Sequence, residues 1–143
     1  MVGISDVAEN AFLDILFTAV AWANIADNAS ASPITIVAWA LHTADPTDSG
    51  AQDANEVGFT DYARKTPART TGGHTITANS MSPQSAVTFT VGSGGSGTVT
   101  HFSVGKTISG TTDQWFAGTV TPNIITGSGV TPEMTTASTV TLD

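Results

Sequence analysis

From Ser5 to about Ala26, the apolar residues Ala8, Phe12, Ile15, Leu16, Ala19, Trp22 and Ala23 recur at three- and four-residue steps. This is the period of one helical face. The pattern predicts a single N-terminal helix over about 5–26. Ser5 is placed as N-cap, Asp6 and Glu9 at the positive end of the helix dipole, and the polar segment Asn28 to Pro33 as the stop. Glu9, Asn10, Asp14 and Thr18 then fall on the opposite face, toward solvent.

Beyond Pro33 the pattern becomes short β-branched runs separated by Gly, Pro, Asp and Ser clusters, as in a sandwich or barrel. The run Ile34 to Leu41 is apolar at both alternating sets of positions, which predicts an interior strand. Further strands are predicted at Gly58 to Arg64, His74 to Ala78, Ala86 to Val91, Thr98 to Val104, Gln114 to Thr121 and Thr139 to Leu142. Val87, Phe89 and Val91 alternate with Thr88 and Thr90, and Thr100, Phe102 and Val104 with His101 and Ser103. Gly92 to Gly97 reads as a flexible hairpin connection. The fold class expected is all-β, a jelly-roll-like β-sandwich with one N-terminal α-helix. It is expected as a single domain over 1–143, with the sandwich over about 34–143.

Composition narrows the function classes. Charged residues are 11% of the chain against 40% hydrophobic, so Thr, Ser, Asn and Gly must build much of the surface. A formal charge of -8 repels phosphate backbones and anionic lipid at long range, which argues against nucleic-acid or membrane partners. Asp6 and Glu9 flank the apolar helix and Asp14 interrupts it, unlike a signal peptide or membrane span. With no cysteine, disulfides, thiolate metal sites and cysteine nucleophiles are excluded. Arg64, Lys65 and Arg69 form a local basic cluster that reads either as a solvated face or as a docking spot for an acidic partner.

The chemical motifs are weak. Gly92, Gly94 and Gly97 satisfy GxGxxG, but a strand rather than a helix follows them, so a glycine turn is the better reading. Asp45, Asp48, Asp53 and Glu56 gather in one loop without EF-hand spacing, and read as turn formers before cation ligands. His42, His74 and His101 lack zinc spacing and read as strand-end or surface residues. No GxSxG elbow precedes a helix, and the acids are not spread over several strand ends as a glycosidase pair would be. Trp22, Trp39 and Trp115 would form a sugar-stacking platform only if exposed together; two lie in apolar periodic segments, so core packing is the default reading, with Trp115 the aromatic most suited to face outward. Asn28-Ala29-Ser30 fits the glycosylation triplet but reads as a polar helix stop. No enzymatic activity, catalytic residue, metal or cofactor is expected.

Several stretches together resemble a family of small virion proteins of tailed phages, described as capsid cement or decoration proteins and often labelled tail fibre proteins. They are the opening AFLDILFTAVAWANIADNASASP, VAWALHTADP at 37–46, NEVGFTDYAR at 55–64, GTVTHFSVG at 97–105, GTVTPNIITGSGVTPEM at 118–134, and the closing TTASTVTLD. The resemblance implies a virion structural protein on the capsid exterior. It also implies a sandwich or jelly-roll fold, homo-oligomers, and contact with the major capsid protein, for which Arg64, Lys65 and Arg69 are the candidate docking residues. A tail fibre or receptor-binding module is the alternative, and a carbohydrate-active enzyme a third, less favoured reading.

Overall fold

The computed structural model describes residues 5–22, 33–48, 50–106, 108–110 and 114–142. The expected helix tail at 23–26, most of its stop segment and the Asn28-Ala29-Ser30 triplet lie outside them. The chain is mostly β, with three antiparallel sheets and one short N-terminal helix among the described residues. This is the all-β class with one helix that the sequence predicts. Two compact units are formed, each from separated stretches of chain.

The first unit takes Met1–Ile36, Pro67–Ala86 and Thr135–Asp143. Helix α1 (Asp6–Leu13) runs into a π-helical turn, Asp14–Thr18, and stops at Ala19, which is left-handed (φ 59). The helix is thus shorter than its periodicity suggests, and Arg69 gives the physical reason. Its Nε donates to Leu16 O at 2.7 Å and Nη2 donates to Ile15 O, so the guanidinium takes the carbonyls that another turn would use. Ser5 sits at the N-cap position, but its side chain makes no capping bond; its carbonyl accepts from Ala8 and Glu9 instead.

The buried face of the helix is also not the one expected. Glu9, Leu13 and Phe17 are buried, whereas Phe12 is 45% exposed. Leu13 and Phe17 share the spacing of a helical face one position on, and they pack as the fully buried pair. A three-stranded antiparallel sheet completes the unit, in the order β2 (His74–Thr77), β3 (Ser80–Pro83) and β8 (Val140–Thr141). Strand β3 was not predicted: SMSP has little β propensity, and its pairing with β2 from His74↔Pro83 to Thr77↔Ser80 fixes it.

The second unit takes Val37–Thr66 and Val87–Met134. Its main sheet has the order β1 (Ala38–His42), β5 (Gly97–Gly105) and β6 (Gln114–Thr126), all antiparallel. Every residue of β1 is buried, as an apolar run on both faces requires. Its outer edge is closed by a following segment: Trp39 and Lys65 exchange backbone bonds of 2.7 and 3.1 Å, and Val57 N donates to Leu41 O at 2.9 Å. Consequently 58–64, predicted as a strand, is an irregular cover over β1.

Trp39 stacks on Phe102 with ring centroids 5.6 Å apart. Gly118 leaves room for that ring, since a Cβ there would lie 2.9 Å from Phe102 Cε1. Two irregularities break the β5–β6 ladder. Val99 pairs with Ile124 and His101 with Thr119, so a short step on β5 faces a longer loop of β6 holding Pro122. Proline is tolerated there because the bulged edge strand needs no ladder donor from it. In the second, Val104 pairs with Phe116 and Gly105 with Gln114, leaving Trp115 as the extra residue.

A small antiparallel pair, β4 (Val87–Thr88) with β7 (Glu133–Met134), completes this unit. The glycine segment expected to be a flexible hairpin is packed instead. Gly92 N donates to Val130 O, Thr60 N to Gly94 O, and a Cβ on Gly92 would stand 2.6 Å from Gly127 O. Its glycines serve close backbone approach, not phosphate binding.

Candidate functional site

Arg64 and Arg69 do not form an exposed docking cluster with Lys65. Each is only 7% exposed and is bound within its own unit. Arg64 grips the Glu56 carboxylate with two bonds of 2.8 Å, Nε to Oε1 and Nη2 to Oε2. It also donates to Gln52 Oε1 and Gly110 O, while Tyr62 OH donates to Glu56 Oε1 and accepts from Leu41 N. Burial works against the Arg64 charge, but the Glu56 hydrogen bonds and negative charge outweigh it and raise its pKa. Burial, foremost, also pushes the Tyr62 phenol well above its ordinary value. Arg69 donates to the carbonyls of Ile15, Leu16 and Ile34, and burial lowers its pKa. Lys65 is half-buried.

Of the histidines read as strand-end or surface residues, His42 and His74 stand at strand ends and are buried. His42 ends β1 and is bonded at both ring nitrogens, Nδ1 to Ala54 O and Nε2 to Ser103 Oγ, each at 2.8 Å. The Ser103–His42 pair has the spacing of a nucleophile and its base, yet both residues are 0% exposed, so no substrate reaches the hydroxyl. Burial is the main reason His42 titrates below its ordinary range. His74 opens β2, contacts Phe17 with ring centroids 5.6 Å apart, and is pushed down to about 4, chiefly by burial. His101 is half-buried, with Nδ1 against Thr100 Oγ1 at 2.8 Å.

The acids of the 45–56 loop are divided by role. Asp45 Oδ1 accepts from Thr47 N at 2.8 Å, an Asx turn, and Glu56 serves Arg64. Among the described residues, no group of three His, Asp or Glu side chains is placed to hold a metal ion. Asp45 and Asp48 do, however, line a cavity of about 540 Å³ with Thr47 and residues 114–117 of β6. This brings the acidic loop and Trp115 together, which the sequence suggested separately and never joined. Gln114 Nε2 donates to Thr47 O at 2.6 Å. Among the described residues, Gln114 Oε1 is the buried side-chain acceptor without a hydrogen-bond partner.

A second cavity, of about 520 Å³, lies in the first unit between the helix and the β2 hairpin. Its lining includes Asn10, Asp14, Thr18 and His74. Three of these groups already bond one another or the backbone: Thr18 Oγ1 lies 2.9 Å from Asp14 Oδ1, and His74 Nδ1 lies 3.2 Å from Ala68 O.

Neither cavity names a reaction. The family comparison is more decisive, because the model of the podophage GP4 fiber I protein gp80 family matches residues 3–141. The chain belongs to this fiber I family. It is a phage structural protein, a virion component, as the resemblance read from its sequence implied. No curated protein matches the chain. No described helix is long and apolar enough to cross a membrane.

Proposed function

We propose that this chain is a non-enzymatic structural subunit of a podophage virion fibre. The observation that carries the reading is the fiber I family match over residues 3–141. The internal chemistry supports it. The buried polar groups His42, Ser103, Arg64 and Arg69 bond to the protein's own frame, and the partly exposed Glu56 carboxylate is held by Arg64 and Tyr62.

Assembly into a homo-oligomer is part of the same reading. Strand β6 is the end strand of its sheet, contains no charged residue, and exposes Ile125 at 73%. Natural edge strands of this kind are commonly covered by a partner, here a second copy.

Copy number separates this reading from capsid cement, which the sequence resemblance also implied and which would bind the major capsid protein across the shell. Quantitative mass spectrometry of virions is expected to find few copies relative to coat protein. Particles lacking the chain are expected to release DNA at the usual temperature while adsorbing poorly to host cells. A fixed, near-equal ratio to coat protein, with earlier DNA release on heating, would replace the fibre by capsid cement.

A further inference from the structure

We infer that the cavity between the Asp45–Asp48 turn and the start of β6 is a carbohydrate subsite for a neutral hexopyranose. The inference goes beyond the fibre reading and holds wherever on the virion the chain sits. Two independent features meet at this cavity. An aromatic pair, Trp115 and Phe116, lies in its wall, and aromatic rings offer the flat apolar surface on which a pyranose C–H face rests. Two carboxylates, Asp45 and Asp48, line the same cavity, and ionised carboxylates are acceptor-only groups suited to vicinal hydroxyls. Gln114 borders the same cavity, and its Nε2 ties the wall to the acidic turn through Thr47 O.

The backbone supports this placement. Trp115 is the extra residue of a bulge, with Phe116 paired to Val104 and Gln114 to Gly105. Bulges re-aim a side chain that regular alternation would send elsewhere, and they recur beside binding sites. The volume of about 540 Å³ falls within the range of small-ligand sites. Charge sets the specificity: no basic side chain is among the described lining residues, and two carboxylates disfavour uronic and sialic acids. The ligand class is therefore neutral, with at least two adjacent hydroxyls.

The test is an NMR titration of the isotope-labelled full chain with methyl glucoside, methyl galactoside and N-acetylglucosamine, with glucuronate and calcium chloride as separate controls. At least one neutral sugar is expected to shift the Trp115 indole N–H and Gln114 resonances in the millimolar range. Asp48 is exposed, so Asp48→Asn is expected to keep the fold and weaken that response by about tenfold. Trp115→Ala is expected to abolish it, and should that variant not fold, Asp48→Asn alone decides. Four results overturn the subsite: no neutral sugar moves these resonances, Asp48→Asn responds as the parent does, glucuronate binds as well as the neutral sugars, or calcium alone produces the shifts. Because the readout uses isolated protein, its failure is distinct from a failed fibre assignment, which is read from virion copy number.

Discussion

Arg64 and Arg69 stand five positions apart in sequence and are equally buried, yet their charges are held in opposite ways. Arg64 faces a carboxylate that draws its pKa up, whereas Arg69 faces backbone carbonyls and is drawn down by burial. The first is a buried ion pair inside a polar network, the second a cation solvated by peptide dipoles at a helix end. A basic cluster in sequence can thus be two separate internal braces, one for each compact unit.

Removing one member of the ion pair is expected to give the largest effect. Glu56→Ala leaves a guanidinium whose side chain is 2% exposed without its counter-charge, against 19% for Glu56 itself. Stranding a buried charge typically costs about 3–5 kcal/mol, so a loss of about 4 kcal/mol in urea unfolding is expected. The double variant Glu56→Ala with Arg64→Met is expected to recover part of that loss, because it removes the stranded charge too. A double variant less stable than the single one would mean that Arg64 acts mainly through Gln52 and Gly110.

Arg69→Met probes the other arrangement. The carbonyls of Ile15, Leu16 and Ile34 lose a charged donor. With hydrogen bonds to charged groups worth about 1.5–3 kcal/mol each and water relieving some of the loss, a destabilisation of about 3 kcal/mol is expected. Hydrogen exchange is expected to rise first in the 13–18 turn, since Arg69 caps it. Exchange that rises uniformly would make Arg69 a general core residue and not the helix stop.

These braces were the least legible part of the sequence, for a physical reason. Strands β2, β5 and β8 could be read because β-branched residues carry their own propensity, as in GTVTHFSVG. SMSP carries none and becomes a strand only by pairing with β2. The helix could be read, but its buried face could not: apolar residues occupy more than one face, and the choice of Leu13 and Phe17 over Phe12 is made by packing. His42 gave a fair signal of burial as the last residue of an otherwise apolar run. Arg64 gave little beyond Glu56 eight residues earlier. The cavity was half legible, because Asp45, Asp48 and Trp115 were each marked out, but a bulge brings them together and no local pattern announced it.

Acidity is expected to weaken the first unit through His74. Its folded pKa, about 4, lies below the ordinary 6.5, so the unfolded chain takes up the proton first. Stability is therefore full above about pH 6.5 and falls as the pH drops toward 4. At 1.36 kcal/mol per unit, about 2 kcal/mol is lost by about pH 5, before most carboxylates titrate. His42, also lowered by burial, adds a loss of the same sign in the second unit. Urea unfolding of the parent and His74→Gln at about pH 7.5 and about pH 5 checks this. An equal pH slope in both would remove His74 as the source.

The smallest effect is expected at Lys65, and it sharpens the comparison most. Lys65 lies beside Arg64 in sequence, and its backbone closes the edge of β1 through Trp39, a role that any side chain except proline can keep. Among the described residues its ammonium has no ion-pair partner, in contrast to Arg64. Lys65→Glu is therefore expected to change stability by no more than about 0.5 kcal/mol, even though it reverses a charge. The same variant measures what is left of a docking role. With Arg64 and Arg69 engaged internally, Lys65 is the member of the cluster able to meet an acidic virion neighbour, and an exposed ion pair contributes about 0–1 kcal/mol. Virion incorporation of Lys65→Glu at low salt is thus expected to fall by no more than about fivefold, and not at all at high salt. A larger, salt-resistant loss would mean that Lys65 is buried in an interface, returning to one residue the docking function the sequence had spread over three.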